Sequence, residues 1–299
     1  MTFLPLFFSK NYLYQYASQW KQILKSIFYF FGIIAAILTI SIFLFNIDIQ
    51  TQIKDYCFFG VIFVLIIVIG YGLWINRPKL SIIQQIPHRD IEIEIRVADM
   101  FDLKGSYIIG TNTTFDTEIG DDLIAEKSVQ GQFTKKFFMD YKDLGNRINE
   151  KLVTYPFDTV NFEKKGNVKS YEMGTVVKIK KNNIIAYFVA MARLNEQGVA
   201  QSSIEDIIIS LNKLWEFIST HGGTEPIIIA IFGSRFGRLI EKRDQIVDKI
   251  IQSFVIACIS KKCTEKLIIV IHPVDFLKWN LNLAELKRIL EYHCHYPNF

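Results

Sequence analysis

The sequence predicts a membrane α-helical hairpin followed by one α/β domain, in which a mixed sheet is sandwiched between helices. Two stretches near the N-terminus are uncharged over the length of a membrane span, and after residue 90 short β-branched runs alternate with helical patterns. Of the 299 residues 50% are hydrophobic, and the mean hydropathy of +0.22 is unusual for a purely soluble chain. We divide the chain into an N-terminal segment (1–25), the hairpin (26–76), a linker (77–90) and the α/β domain (91–299).

The two predicted spans are Ser26 to Ile47 and Tyr56 to Ile75, joined by the short segment DIQTQIKD. At about 1.5 Å per residue, roughly 22 residues of helix cover roughly 33 Å, enough to cross a hydrocarbon core of about 30 Å. A cleaved signal peptide is the alternative for the first span, but its apolar region is only about 7 to 15 residues long and ends in small residues. Because a second span follows, we expect a hairpin.

Basic residues predict the orientation of the hairpin. The connecting loop has a single lysine, whereas five basic residues lie on the side of the chain ends: Lys10, Lys21, Lys25, Arg77 and Lys79. The positive-inside rule then predicts a multi-pass membrane protein with both termini in the cytoplasm. Ahead of the first span, the aromatic-rich stretch NYLYQYASQWKQILK is either an interfacial helix or an extension of that span.

Composition argues against several other classes of protein. The net charge of +4 is explained by anchoring at anionic lipid, and the sequence has no helix-turn-helix or zinc-finger pattern, so we expect no nucleic-acid partner. The four cysteines have neither the density of a disulfide framework nor CxxC spacing, and we expect them to be reduced. We interpret His293-Cys294-His295 as a solvated tail, because the sequence offers no partner cluster for a metal. We expect no metal and no cofactor.

Short runs rich in β-branched residues predict six strands in the α/β domain. They are Ile91 to Val97, Ser106 to Thr111, Gly174 to Lys180, Ile184 to Ala192, Ile227 to Phe232 and Leu267 to His272. Ser202-Ser203, followed by Glu205 and Asp206, predicts a capped helix that ends near Gly222-Gly223. Further helices are predicted at Leu239 to Ser260, at Asn282 to Glu291, and through Lys135, Phe138 and Tyr141.

The stretch PIIIAIFGSRFGRLI, residues 226–240, joins a buried strand to a loop with two glycines and two arginines. In an open α/β sheet the ligand crevice lies beyond the carboxyl ends of the strands. Gly233 and Gly237 would let the backbone approach a phosphate, and Arg235 and Arg238 would add positive charge. The alternative is an ordinary strand-to-helix turn with solvated arginines. The sequence contains no GxxxxGK[ST], GxSxG or HExxH motif.

A second stretch strengthens the interpretation of this loop as a phosphate site. One predicted strand is followed by Ala98-Asp99-Met100, and the next ends in Gly-Thr-Asn-Thr-Thr-Phe, residues 110–115. This arrangement resembles a macro domain, in which an aspartate after one strand binds adenine and an asparagine after another lies near the distal ribose. The resemblance implies these roles for Asp99 and Asn112. The sequence departs from the family where Ala98 replaces a glycine and where Gly110-Thr111-Asn112 is one residue shorter than VNAAN.

The likeness extends to one branch of that family, the macro-domain type of the Thoeris anti-phage protein ThsA, which carries two N-terminal membrane spans. The segments FDT, SVQGQF, YEMGTVVKI and ARLNEQGVAQSSIEDI are similar to recurring segments of that branch. The ligand-binding residues implied by the resemblance are Asp99, Met100, Asn112, Thr113, Thr114, Phe115, Gly131, Gln132, Phe133, Gly233, Ser234, Arg235, Phe236, Gly237 and Arg238. Several of these residues have a purely structural alternative. Asp99 could form a turn, and Asn112 could hydrogen-bond the local backbone. Gln132 and Phe133 could simply begin a helix.

The resemblance implies a membrane-bound sensor and effector that is not an enzyme. A partner TIR-domain enzyme that consumes NAD would release an ADP-ribose-derived signal, histidine-ADP-ribose, and the macro domain would bind it. Binding would drive self-association into a homo-oligomer that disrupts the membrane and kills or arrests the infected cell. The candidate crevice offers hydroxyls, amides, glycines and arginines, which is a set of binding groups. A membrane-anchored ADP-ribosyl hydrolase and a non-catalytic anchored scaffold are the alternatives.

Overall fold

The computed structural model describes residues 13, 16–17, 19–45, 57–77, 80–120, 123–231 and 242–296. The chain divides into two compact units, Met1–Lys79 and Leu80–Phe299. Within its described residues the first contains two long helices, and the second contains the α/β fold. Each unit is described by itself.

Two apolar helices of the first unit, α1 (Trp20–Phe45) and α2 (Cys57–Ile75), pack against each other. The ring of Phe30 meets Tyr71 edge-on with centroids 4.2 Å apart, and Asn76 Nδ2 donates to Ser26 Oγ at 3.0 Å. The beginning of α1 therefore contacts the end of α2, as in an antiparallel hairpin. Gly72 permits the close approach, since a Cβ there would lie 2.6 Å from Ile27 Cγ1.

One helix in the described part of the chain is long and apolar enough to cross a membrane. It is the 22-residue stretch Trp20–Ser41 of α1, with a mean hydropathy of 2.2 and exposed apolar side chains such as Phe28 and Ile40. The second predicted span does form a helix, but its apolar stretch, Ile62–Ile75, is shorter. One such helix near the N-terminus is compatible with a membrane anchor or a signal sequence, so the two-span topology and its orientation stay predictions.

In the described part of the chain, the second unit is built on a mixed sheet of eight strands. The strands are β1 (Ser81–Gln85), β2 (Glu92–Val97), β3 (Ser106–Asn112), β6 (Val176–Lys181), β7 (Ile184–Leu194), β8 (Ala200–Gln201), β9 (Ile227–Ala230) and β10 (Lys266–Ile271). Their order in the sheet is β1-β2-β10-β9-β3-β7-β6, and β8 pairs with β7. The five neighbours β2, β10, β9, β3 and β7 are parallel. A separate antiparallel pair is formed by β4 (Phe157–Thr159) and β5 (Lys169–Tyr171).

Helices cover both faces of this sheet, as the sequence predicts. Alternate residues of β7 show the two faces: Phe188 contacts Phe133 of α3, whereas Tyr187 contacts Phe217 of α5. The helices are α3 (Val129–Phe137), α4 (Tyr141–Leu152), α5 (Ile204–His221), α6 (Arg243–Ser260), α7 (Pro273–Lys278) and α8 (Leu283–His295). The parallel strands are buried on both faces, which is why they appear in the sequence as continuous apolar runs.

All six predicted strands are present, with bounds within two residues over their described parts. The capped helix start is confirmed as well. Ser203 Oγ accepts from the Asp206 amide, and the Asp206 carboxylate accepts from the Ser203 amide, which together form a capping box at the start of α5. The pattern predicts this start because its signal is local.

Four parts of the sequence-based prediction need correction. Residues 81–85 fall in the predicted linker but form β1, which pairs with β2 at the edge of the sheet. The helix predicted through Tyr141 is two helices, α3 and α4. The strands β4, β5 and β8 were not predicted, because two or three residues carry no periodicity. The predicted solvated tail is the end of α8, where His293 and Cys294 are buried and His293 Nε2 lies 2.6 Å from Asp248 Oδ1.

Tyr187 provides a test of the packing of this sheet. Its hydroxyl is buried and has no hydrogen-bond partner among the described residues, and burial raises its pKa to about 12. Because an unsatisfied buried hydroxyl is destabilising, we expect Tyr187→Phe to raise the free energy of unfolding by about 1 kcal/mol. Urea unfolding followed by circular dichroism measures this change.

Tyr155→Phe is the matched control, because the Tyr155 hydroxyl donates to the Val176 carbonyl oxygen at 3.2 Å. This variant should lower the free energy of unfolding by about 1 kcal/mol. Equal destabilisation by both substitutions would show that the Tyr187 hydroxyl is satisfied.

Candidate functional site

The candidate site lies at the edge of the sheet where the parallel strands end. Asp99 follows β2 and Asn112 ends β3, and the strand β9, directly beside β3, precedes the predicted phosphate loop. The carboxyl ends of parallel strands share one edge, so the sheet order brings these three segments to the same side. The loop residues Gly233, Ser234, Arg235, Phe236, Gly237 and Arg238 lie outside the described residues.

Asp99 is half-buried and caps a short 3₁₀ helix, Met100–Asp102. Its Oδ1 accepts a hydrogen bond from the Phe101 amide at 2.9 Å, so one carboxylate oxygen performs the turn-forming role. Met100 is buried in the hydrophobic core. Burial raises the pKa of the nearby Tyr107, and the negative charges of Asp102 and Asp99 raise this pKa further.

Asn112 is buried and its amide is used inside the protein. Its Nδ2 donates to Asp116 Oδ2 at 2.9 Å, and its Oδ1 accepts from the Asp116 amide and from the Thr114 hydroxyl, both at 3.2 Å. The Asn112 side chain therefore holds the turn that follows β3, which is the structural role that the sequence offered as an alternative to ligand binding. We call residues 112–116 the ligand loop, after the ligand contacts that the sequence predicts for Asn112 to Phe115.

A buried ion pair that the sequence does not reveal lies behind the ligand loop. Lys164 Nζ is 3.0 Å from Asp116 Oδ2, and the two side chains are only 4% and 1% exposed. The Thr114 hydroxyl lies closer to Asp116 Oδ2, at 2.6 Å, than to Asn112 Oδ1, and its one hydrogen is shared between these two acceptors. The two charged residues are 48 positions apart, so no local pattern could have paired them. The sequence includes Asp116 in the segment FDT, which is similar to a recurring segment of the family, but it predicts no ion pair for this residue.

The rest of the ligand loop is also held tightly. Phe115 has a positive φ of 50°, a conformation that costs a non-glycine residue about 1 to 3 kcal/mol, and its ring is 1% exposed. The ring meets Tyr171 of β5 edge-on at 5.8 Å. Thr113 is fixed through its main chain, which donates to Ala192 and accepts from Tyr171. A strained residue persists only where its surroundings over-determine it.

The segment Gly131-Gln132-Phe133 lies in the first turns of α3, as the structural alternative for these residues supposed. Gly131 donates its amide to Ser128 Oγ, the N-cap, while Gln132 is exposed and Phe133 is in the core. Gly131 is required by space, because a Cβ there would collide with the Ala125 carbonyl oxygen and lie 2.8 Å from that of Glu126.

No group of three His, Cys, Asp or Glu side chains that could hold a metal occurs in the described parts of the chain. His272, which follows β10 at the same edge, caps α7 by accepting from the Val274 amide at 3.3 Å. The described edge thus presents capped turns and tightly held loops.

This sheet, with helices on both faces and polar loops at the carboxyl edge, defines a three-layer α/β domain, and a family match identifies it as a macro domain. The family described as "Thoeris protein ThsA, Macro domain" matches residues 93–272, more than half of the chain. The chain belongs to this family.

Individual proteins show the same likeness. The chain is 24% identical over 211 residues to Thoeris protein ThsA of Bacillus amyloliquefaciens (strain Y2), covering 66% of this chain and 67% of that protein. Among solved structures, a mutant of the Oceanobacillus iheyensis macrodomain with ADPR has a TM-score of 0.47 at 12% identity, covering 71% and 99% of the two chains. The same macrodomain with ADP has a TM-score of 0.48 at 13% identity, covering 71% and 97%.

Gly131 allows a test of how the start of α3 is held beside the site. We expect Gly131→Ala to lower the free energy of unfolding by about 1 to 3 kcal/mol, because the added methyl group meets backbone oxygens that cannot move separately. Urea unfolding followed by circular dichroism measures this loss. Gly120→Ala is the control, since nothing lies within 4 Å of a Cβ at Gly120. Equal stability of the two variants would contradict the tight packing of this turn.

Proposed function

We propose that this protein is a membrane-bound sensor and effector of Thoeris anti-phage defence. Its macro domain binds an ADP-ribose-derived nucleotide, histidine-ADP-ribose, which a partner TIR-domain enzyme makes from NAD. The bound protein self-associates, and its clustered apolar helices disrupt the inner membrane, so that the infected cell dies or stops growing. The observation that carries the proposal is the common edge at which Asp99, the ligand loop and the strand before GSRFGR meet, in a chain of this family.

Asp99 supports the choice of an adenine nucleotide. Its Oδ1 is used by the Phe101 amide, and a carboxylate has further lone pairs that can accept from the exocyclic amine of adenine. Gly233 and Gly237 would admit the pyrophosphate, and Arg235 and Arg238 would compensate its charge.

A binding role is favoured over a catalytic one by how the ligand loop uses its polar groups. The side chains of Asn112, Thr114 and Asp116 all bond to one another. Asp116 is the only carboxylate of the ligand loop. It is paired with the buried Lys164 and accepts from Asn112, Thr114 and the Asn167 amide, so it offers no free basic atom for removing a proton. We therefore propose that the bound nucleotide leaves the protein unchanged.

The test is binding of ADP-ribose, its histidine conjugate and NAD to the full chain in detergent, followed by calorimetry and then chromatography of the ligand. We expect Asp99→Asn to weaken binding of the adenine ligand by about 1 to 3 kcal/mol, because it replaces one accepting oxygen by an amide donor. The remaining amide oxygen can still cap Phe101. The matched control is Asp140→Asn, since Asp140 caps α4 through the same contact, to Lys142 at 2.9 Å.

Each result of this experiment decides one point. Failure of wild type to bind all three nucleotides would reject the proposed sensor. Equal affinity of Asp99→Asn and wild type would reject the adenine role of Asp99. Multiple-turnover consumption of an ADP-ribose conjugate by wild type would establish a hydrolase instead.

The membrane part of the proposal rests on α1. Gly32, Ala36 and Thr39 lie on one face of this helix and are exposed in the described structure, whereas Ser26, Ile27 and Phe30 face α2. Small residues allow helices to approach closely in lipid, where packing drives association. We propose that this face meets α1 of a neighbouring subunit.

We expect the double variant Gly32→Leu/Ala36→Leu to reduce ligand-dependent dye leakage from cells, because the larger side chains keep the helices apart. Ile37→Leu, at another exposed position of α1, is the control and should leak as wild type does. Undiminished leakage of the double variant at equal expression would exclude this face as the assembly surface. Absence of leakage from wild type with the signal supplied would reject the effector role.

A further inference from the structure

The ligand loop is held from behind by a short segment between β4 and β5. Lys164 Nζ contacts both oxygens of Asp116, at 3.1 and 3.0 Å, and also donates to the Asn167 carbonyl oxygen at 2.6 Å. The Asn167 amide donates to Asp116 Oδ1 at 2.8 Å. We call Lys164, Gly166 and Asn167 the clasp.

The clasp also holds the main chain of the ligand loop. Asn167 Nδ2 donates to the carbonyl oxygens of Thr114 and Phe115, at 3.0 and 3.1 Å. These two carbonyls flank the strained Phe115, whose φ is 50°. The hydrogen bonds of Asn167 therefore favour the conformation that Phe115 by itself disfavours.

Gly166 brings the clasp into contact with Asp116. Its φ is +80°, and a Cβ there would collide with Asp116 Oδ1 and lie 3.1 Å from Leu123 Cδ1. A side chain at this position would be both strained and too close to Asp116, so the close approach of the clasp to the loop depends on Gly166.

We propose that the clasp is a positioning device, in which Lys164 acts through Asp116 to fix the ligand loop in the form that binds the nucleotide. This inference rests on the proposed binding function. The charge of Lys164 has a second consequence, since it balances the charge of a carboxylate that is buried behind the loop proposed to bind an anionic nucleotide. Without the clasp, only a fraction of the molecules would hold a competent loop, and the apparent affinity would fall by that fraction.

The first test uses the wild-type full chain in detergent and hydrogen exchange followed by mass spectrometry, with ADP-ribose and its histidine conjugate as probes. A nucleotide that contacts the ligand loop should slow exchange in residues 112–117 and also in residues 163–168, because the two segments share Asp116. Protection of the first segment without the second would overturn the proposal.

The second test changes the clasp. Gly166→Ala and Lys164→Met should each weaken nucleotide binding by about tenfold among folded molecules, and should speed exchange in residues 112–117 without nucleotide. Gly198→Ala is the matched control for the glycine, because Gly198 has a φ of +70° with nothing within 4 Å of its Cβ. Lys180→Met, at an exposed lysine, is the control for the lost charge.

These results separate the clasp from the proposed function. If wild type binds and the clasp variants bind within twofold of their controls, the positioning role is wrong and the sensor remains. If wild type binds neither nucleotide, the sensor is wrong, and exchange in residues 112–117 still tests the clasp: equal rates in Gly166→Ala and Gly198→Ala would reject it. If Lys164→Met does not fold, Gly166→Ala and the wild-type experiment decide, because both leave the charges in place.

Discussion

Five parallel strands lie side by side in this protein, and the rest of the α/β unit depends on that arrangement. Parallel neighbours require crossover connections, so helices cover both faces, and the strand ends collect at a single edge. Asp99 and Asn112 reach the same edge although they follow different strands. The position of the candidate site is thus a consequence of how the sheet is connected.

The ligand loop shows how a buried charge can organise such an edge. Asp116 receives hydrogen bonds from Asn112, Thr114, Asn167 and Lys164, and its charge is balanced by that of Lys164. A buried pair of this kind contributes little net stability, but breaking it is costly because the remaining charge stays buried. Its effect is to favour one conformation of the loop over the others, as the proposed ligand site would require.

The two helices of the first unit present a different problem of burial. Their contact with each other uses aromatic and polar residues near one end, such as Phe30 with Tyr71 and Ser26 with Asn76. Many large apolar side chains of α1 remain exposed in the described structure, including Phe43 at 84%. Exposed apolar surface of this extent needs lipid or another protein surface to cover it.

The sequence by itself determined the features that depend on neighbouring residues. The apolar run of β9, the capping box at Ser203 and the apolar length of α1 are local signals, because each arises within one segment. Only the tertiary structure decided that residues 81–85 join the sheet as β1, that His293 is buried against Asp248, and that Asn112 bonds to Asp116. It also paired Asp116 with Lys164 across 48 positions. These contacts join residues that are distant in sequence, or they depend on the side chains that pack around them. A local sequence pattern cannot predict them, because the partner of each residue is set by the fold.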